Sequence, residues 1–427
     1  MNIDKNTVNI LLDMVKKDTI PAIGCTEPVA VAYASSIARK HLEGHIEHIT
    51  VNVSLSIFKN GKSVMIPNTK EWGLDLAAAL GAICGDPEDG LCIFKNINQE
   101  DIDRAHKMIL KNAVRVSWAL NTPDVYVEII MKSADSTVEV VLKNSHDHIE
   151  AIRVNGELIY EDKIDNKEQT TTGFLENFSF KELREICEKV DINELSFIED
   201  GIRMNKMAAE QGLKSKKGLG WGASLLILQK QGKLSADASQ KARILTAAGA
   251  DIRMGGGDCP IMTSAGSGNQ GLGVILPIVV VAEEREIEKE KLYRAIFYAH
   301  IINKFVKQYT GKLSALCGCA IAAGVGASAA IAWMLGGDDN QIAGAVQNMM
   351  ANLTGMLCDG AKETCALKLS TSAGEAVLAA YLACENVIAK ANTGILGGTV
   401  EETIKNLGIL CNKGLSTTNE VIVGIMS

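Results

Sequence analysis

Aromatic residues make up only 4% of this chain, and its 43 Lys and Arg are outnumbered by 51 Asp and Glu, for a net charge of −8. Such a composition offers no basic face with interleaved aromatics, which argues against nucleic acid as a partner. The N-terminus, MNIDKNTVNILLDMVKKDTIPAIG, spreads acids and lysines through an amphipathic pattern. It lacks an apolar core followed by a small-residue cleavage site, so no export signal is read and a cytoplasmic location is expected. Paired C-x-x-C knuckles are absent, as are a Walker Lys-Ser/Thr ending and a G-x-G-x-x-G fingerprint between strand and helix.

One uncharged run, Leu313 to Gly337, is long enough to be mistaken for a membrane span. Its Ala and Gly content, its lack of an aromatic or basic belt and its isolation favour a buried, close-packed helix instead, so no membrane partner is expected. No repeat of fixed period is present.

At 427 residues and 47% apolar content, the chain can bury a large core. Residues 1 to about 45 read as helical with a break at Pro21–Gly24. A strand-rich stretch follows: HIEHITVNVSLSIF, GKSVMIP, VRVSWAL, DVYVEIIMKS, TVEVVLKN and IRVNGELIY alternate or run with β-branched residues. Asn60-Gly61 and Asn155-Gly156 supply hairpin chemistry, and helical patches interrupt at about 71–84 and 98–111. Beyond a polar stretch near 165–175, helical periodicity dominates. The expected class is α+β, with a mixed α/β domain over 1–170 carrying an antiparallel-rich sheet and a mostly helical domain over 171–427. Within the second, residues 249–273 hold eight glycines and read as non-helical, and the C-terminal GLSTTNEVIVGIMS reads as a short strand or loop.

The eleven cysteines are an odd number in a chain expected to stay in a reducing compartment, so they read as core thiols, metal ligands or catalysts. Cys84, Cys92, Cys187, Cys384 and Cys411 sit in apolar contexts and read as core. Cys317 and Cys319 in ALCGCAIAAG, and Cys358 and Cys365 in GMLCDGAKETCALK, have glycine and polar neighbours. A continuous helix from 358 to 365 would separate its ends by about 10.5 Å, too far for two ligands of one cluster, but Asp359-Gly360 permits a helix end and turn. On residues alone, a cluster, a zinc site made of all four cysteines and coincidental core cysteines all stay open.

Cys25, in PAIGCTEPVAVAYA, is bracketed by Gly24 and Pro28, with Thr26 placed to cap a helix from about Pro28. A thiol at a helix N-terminus is biased toward thiolate, so Cys25 is either reactive or a buried loop residue. The stretch Thr263–Gly271, TSAGSGNQG, groups hydroxyls and an amide around glycines. It suits the carboxylate of a small substrate better than a nucleotide, and a structural turn cluster is its other reading. His300 is either structural or in contact with substrate.

With these residues in view, the chain resembles the L-cysteine desulfidases, a family also described as serine dehydratase α-chain-like. The resemblance runs through GCTEPVAVAYA at 24–34, TSAGSGNQG at 263–271, KLSALCGCAIAAGVGASAA at 312–330 and NLTGMLCDGAKETCALK at 352–368. It implies β-elimination of L-cysteine to pyruvate, ammonia and sulfide with a [4Fe–4S] cluster and no pyridoxal phosphate. By position it implies Cys319, Cys358 and Cys365 as cluster ligands and Cys25 as the base. Cys319 is preferred to Cys317 because iron–sulfur serine dehydratases carry a cysteine five residues before a glycine and a small-residue helix, here Cys319 and Gly324. Ser264, Ser267 and Asn269 are the candidates for substrate carboxylate and amine, with His300 beside them. L-Serine dehydratase with the same cluster is the nearest alternative, although GCTEP favours the desulfidases; a non-catalytic iron–sulfur or zinc protein is a further one. A homodimer is the base-rate expectation.

Overall fold

The computed structural model describes residues 5–162, 173–215, 217–311 and 313–426. The division expected near residue 170 lies outside them. The class is α+β, as the sequence patterns indicate.

The first half begins with α1 (Lys5–Asp18), β1 (Pro21–Ala22) and α2 (Thr26–His41). A six-stranded sheet follows, built from β2 (His48–Ser54), β3 (Val114–Ala119), β4 (Tyr126–Lys132), β5 (Thr137–Lys143), β6 (Ile149–Val154) and β7 (Glu157–Glu161). Its order is β3-β2-β4-β5-β6-β7, with β2 and β3 parallel and the other pairs antiparallel. Alternation fixes the register: Val51 lies opposite Val116 on one side and Ile129 on the other, and Ile129 opposite Val140. Val51, Val53, Val127, Ile129, Val138, Val140 and Leu142 are wholly buried. Each such side chain contributes on the order of 1.5–3 kcal/mol. The helices covering this face are α2 and α4 (Leu74–Cys84); α3 (Leu55–Gly61) and α5 (Gln99–Leu110) flank them. Gly81 is required at the α2–α4 crossing, because a Cβ there would lie 2.2 Å from the Ala32 carbonyl oxygen.

The second half comprises α6 (Phe180–Lys189), α7 (Phe197–Lys214), α8 (Trp221–Lys230), α9 (Ala238–Met254), β8 (Ile261–Met262), α10 (Gly268–Glu284), α11 (Lys289–Thr310), α12 (Ile321–Met334), α13 (Asp339–Leu353), α14 (Cys365–Cys384), α15 (Val400–Ile409) and α16 (Thr418–Met426). The uncharged run becomes α12, buried along almost its whole length and packed by α11, α13 and α14. Among the described residues no helix is long and apolar enough to cross a membrane.

The halves interlock. Leu11, Leu12, Met14 and Val15 of α1 belong to the core of the helical half. At the other end of the chain, α16 packs on α3, and its Val423 joins the core under the sheet.

Four local expectations are corrected. Residues 55–61 are helical, because Ser54 caps the segment by accepting from Ile57 N–H and tertiary packing buries Ser56 to Gly61; Asn60-Gly61 therefore ends a helix and makes no hairpin. GKSVMIP forms no strand, only an isolated bridge between Met65 and Trp72. Residues 249–254 and 268–273 are helical, and their glycines serve close approach. A Cβ on Gly249 would meet Leu272 at 2.7 Å, and one on Gly271 would meet the Met262 carbonyl at 1.9 Å. The C-terminal segment is a helix held by α3, not a strand or loop. Asn155-Gly156 does form the β6–β7 hairpin, with both residues at positive φ.

Candidate active site

The site is assembled by long-range ties onto loops that have little regular structure of their own. Antiparallel pairing of β1 with β8 sets Pro21 opposite Met262 and Ala22 opposite Ile261. Thr263 Oγ1 donates to the Asp18 carbonyl at 2.8 Å and accepts from Ile20 N–H at 3.0 Å. Asp18 also pairs with Lys304 of α11. These contacts fasten the GCTEP segment beside the glycine-rich loop.

A second set joins the cysteine loops. Cys317 N–H donates to the Met356 carbonyl at 2.9 Å and Cys358 N–H to that of Ala315 at 2.8 Å, around a bridge between Leu316 and Leu357. Lys59, fully buried on α3, sends its ammonium to the carbonyls of Cys358 at 3.0 Å and Ser314 at 3.4 Å and to Asn419 Oδ1 of α16 at 2.7 Å. The turn after Cys358 has the expected chemistry. Gly360 has φ +97°, and a Cβ there would lie 2.4 Å from the Lys59 carbonyl oxygen. Asp359 pairs with Lys362 and Lys368, each at 2.6 Å. Burial pushes its carboxyl up, but the two lysines outweigh this and hold it at about 2.

All four cysteines of these loops are free thiols in one neighbourhood. The neighbouring Cys319 thiol, together with burial, raises the Cys317 thiol well above its ordinary range. Burial, with Cys317 and Cys358 nearby, raises the Cys365 thiol to about 12. Cys319 and Cys365 pack against a common apolar group that includes Leu272 and Leu369. Cys317 is buried, whereas Cys319, Cys358 and Cys365 are partly exposed. Among the described residues no three His, Cys, Asp or Glu side chains are grouped to hold a single metal ion. A cubane asks one thiolate of each iron, so its ligands border a shared volume and need not converge on one point. The donor set of Cys319, Cys358 and Cys365 fits that chemistry, and the spacing offers no support for a zinc site.

Cys25 is the N-cap residue of α2, which begins at Thr26, so Thr26 is not the cap. Cys25 is buried in a small apolar group with Val64 and Met254, against which Cys365 packs. Its thiol donates to Glu27 Oε2 at 2.7 Å. The expected bias toward thiolate is reversed: burial, reinforced by the negative Glu27, raises the thiol well above its ordinary range despite the nearby Arg253. Glu27 goes the other way. Burial alone would raise its carboxyl, but the charge of His146, the Cys25 thiol and the Asn60 amide, which donates to Oε1 at 3.0 Å, together leave it lowered. The resting pair is a thiol beside a carboxylate.

In the glycine-rich loop, Ser264 is fully buried and its Oγ meets His300 Nδ1 at 2.7 Å and accepts from Asn303 Nδ2 at 2.9 Å. The hydroxyl can accept from Asn303 and still either donate to or accept from Nδ1, according to the imidazole tautomer, and Nε2 has no hydrogen-bond partner among the described residues. Burial lowers His300 to about 3, so it is neutral. Ser267 is the N-cap residue of α10 and its Oγ lies 4.0 Å from Cys319 Sγ. Asn269 is buried; its Nδ2 faces Met254 Sδ at 3.5 Å, and its Oδ1 has no hydrogen-bond partner. Cys25 and the cysteine loops thus border the same loop as Ser267 and Asn269, while Ser264 and His300 anchor it from beneath.

Residues 88–424 match the family described as serine dehydratase alpha chain. The chain belongs to that family. It is 56% identical to a UPF0597 protein of Clostridium botulinum over 416 residues, 97% of this chain and 96% of that one. UPF0597 proteins of Clostridium tetani, covering 99% of both chains, and of Caldanaerobacter subterraneus subsp. tengcongensis, covering 98% of both, are each 41% identical.

Membership of the serine dehydratase alpha-chain family places the chain among lyases of a generally iron–sulfur dependent kind. Several residues around the family motifs escaped the sequence reading. Glu27 lay inside GCTEP, and a carboxylate two residues from a candidate base was a usable signal. Asn60, Lys59, Lys307 and Arg253 gave none, because their relevance arises from contacts across the chain. Lys307 of α11 is a buried lysine whose ammonium burial holds below its ordinary range, against the opposing pull of Cys319, Asp124 and Cys358.

Proposed function

We propose that the chain catalyses β-elimination from a small amino acid, converting L-cysteine to pyruvate, ammonia and sulfide. The observation that carries this reading is the Cys25–Glu27 pair, a protonated thiol held 2.7 Å from an ionised carboxylate, with the candidate cluster thiol of Cys365 packed against the same small group. Cys319, Cys358 and Cys365 would hold a [4Fe–4S] cluster. When bound, it would supply a Lewis-acidic iron for the leaving group, since three thiolates leave one iron open.

The remaining chemistry belongs to the chain. Cys25 Sγ passes its proton to Glu27 Oε2, and the thiolate so formed takes the substrate Cα proton. Asn60 and His146 hold the Glu27 carboxylate in place against Cys25, and because they lower its proton affinity the transfer is uphill in the resting site. Ser267 and Asn269 receive the amino acid, and Ser264 with His300 and Asn303 keeps their loop in place. Burial of Cys25 and the loop keeps water from the carbanionic Cα until sulfide departs. The resulting enamine tautomerises and hydrolyses without further catalysis.

The test is an assay of anaerobically reconstituted protein for pyruvate and sulfide from L-cysteine, and for pyruvate from L-serine. Pyruvate with sulfide from L-cysteine is the expected result. Turnover of L-serine alone would assign the dehydratase reaction instead. An iron-loaded protein inert to both would make it a non-catalytic iron–sulfur protein.

A further inference from the structure

Arg253 has no place in the chemistry described so far. It lies in the last turn of α9 with only 2% of its surface exposed, and its Nε has no hydrogen-bond partner. An isolated buried guanidinium is costly unless something answers its charge. Its side chain rests on the first residue of α10: a Cβ on Gly268 would lie 2.6 Å from Nε, 2.9 Å from Cζ and 3.2 Å from Nη2. Only glycine lets the guanidinium reach that helix end.

The helix end is itself short of acceptors. Ser267 makes no side-chain cap, and the first turn of a helix leaves its N–H groups without intrahelical partners. Gly268, Asn269 and Gln270 are all buried, so water does not freely satisfy them. The 17-residue α10 also points the positive end of its dipole here. A buried arginine and an uncapped helix start therefore present two converging sets of donors, with no acceptor for Arg253 Nε among the described residues. Arg253 also bears electrostatically on Cys25, and Ser267 borders Cys319. An anion seated here would lie between the proposed base and the proposed cluster.

We propose that Arg253 and the N-terminus of α10 together bind the α-carboxylate of the substrate, so that the site takes free α-amino acids and rejects their amides and esters. This deepens the elimination reading and rests on it for the identity of the reacting carbon. A planar carboxylate matches the guanidinium fork and the backbone donors at once. With the carboxylate fixed at Gly268, the α-proton is directed toward Cys25 and the β-substituent toward Cys319, which orients the substrate before any bond breaks.

The test uses L-alanine, which has the α-carboxylate and amine but no leaving group, and L-alaninamide, which lacks the carboxylate. Calorimetric titration of full-length, anaerobically reconstituted protein is expected to show binding of L-alanine and none of L-alaninamide. Arg253→Gln should bind L-alanine at least about tenfold more weakly at unchanged iron content, as loss of a charged hydrogen-bond donor requires. Arg253→Lys, which keeps the charge and guards against a folding defect, should recover part of that loss. Equal binding of alanine and alaninamide, or alanine binding unchanged in Arg253→Gln, would overturn the assignment. Wild-type protein that selects alanine over alaninamide but eliminates nothing would refute the elimination reading while supporting this carboxylate site.

Discussion

Replacing Glu27 by glutamine probes the step on which the proposed chemistry turns. The substitution keeps the volume and leaves Oε1 as a hydrogen-bond acceptor for Asn60, but it removes the carboxylate that accepts the Cys25 hydrogen bond. A neutral amide oxygen binds a proton far too weakly to generate the thiolate, and burial already raises the thiol well above its ordinary value. General-base assistance contributes roughly 10²–10⁴ in rate, so kcat for pyruvate formation should fall by that factor, equivalent to about 2.7–5.5 kcal/mol of barrier. KM should change little, because Glu27 makes no proposed contact with substrate. The assay is anaerobic pyruvate formation at saturating L-cysteine, with iron per chain measured in parallel. Exchange of the L-alanine α-proton with deuterated solvent isolates the same step without a leaving group. A Glu27→Gln enzyme with full iron that retains kcat or α-exchange near the wild-type rate would refute the relay.

Three further outcomes follow from other parts of the molecule. Cys319→Ala, Cys358→Ala and Cys365→Ala should each lose reconstituted iron while Cys317→Ala retains it, measured as iron and sulfide per chain; the reverse result for Cys317 and Cys319 would move the ligand by two residues. His300 stays neutral in the fold down to about pH 3, whereas the unfolded side chain protonates near 6.5. Stability contributed here is therefore present above pH 6.5 and is lost as pH falls through that window, about 2 kcal/mol by pH 5, and urea midpoints of His300→Gln should show a flatter acid limb. Lys59→Met strips a donor from the carbonyls of Ser314 and Cys358 and from Asn419. Each buried acceptor left unsatisfied costs roughly 1–3 kcal/mol, so the urea midpoint should drop, and iron retention should fall with it because the Cys358 loop loosens.

Elements whose character is local were legible in the sequence. Alternation in β4 and β5, the Asn155-Gly156 turn and the Ala-Gly run that becomes α12 each carry their own signal. Where context decided, the reading failed. LSIFKN has β-branched and aromatic residues, yet Ser54 caps it and burial on all sides makes it helical. The glycines of 249–273 look like helix breakers, but half of that stretch is helix whose glycines admit Leu272 and the Met262 carbonyl. The candidate site divides the same way. Cys25 and the cysteine motifs stand out by composition, whereas the state of the Cys25 thiol depends on Glu27, and that of Glu27 on Asn60 and His146, which are distant in sequence.

That dependence also explains why the two halves interlock. The segment bearing Cys25 runs from α1, rooted in the helical core, to α2, rooted under the sheet. The loop bearing Cys358 is held by Lys59 from the sheet half and, through the same ammonium, by α16 from the chain's other end. Cys25 of the first half and the Cys358 loop of the second are each held from both halves, so sliding the halves apart would break the β1–β8 pairing and the Lys59 ties together. A buried thiol that must lose its proton on demand needs its acceptor held within a few tenths of an ångström, and loops alone do not supply such rigidity. Interlocked packing does, because Cys25, Glu27 and Asn60 are then fixed by two cores at once.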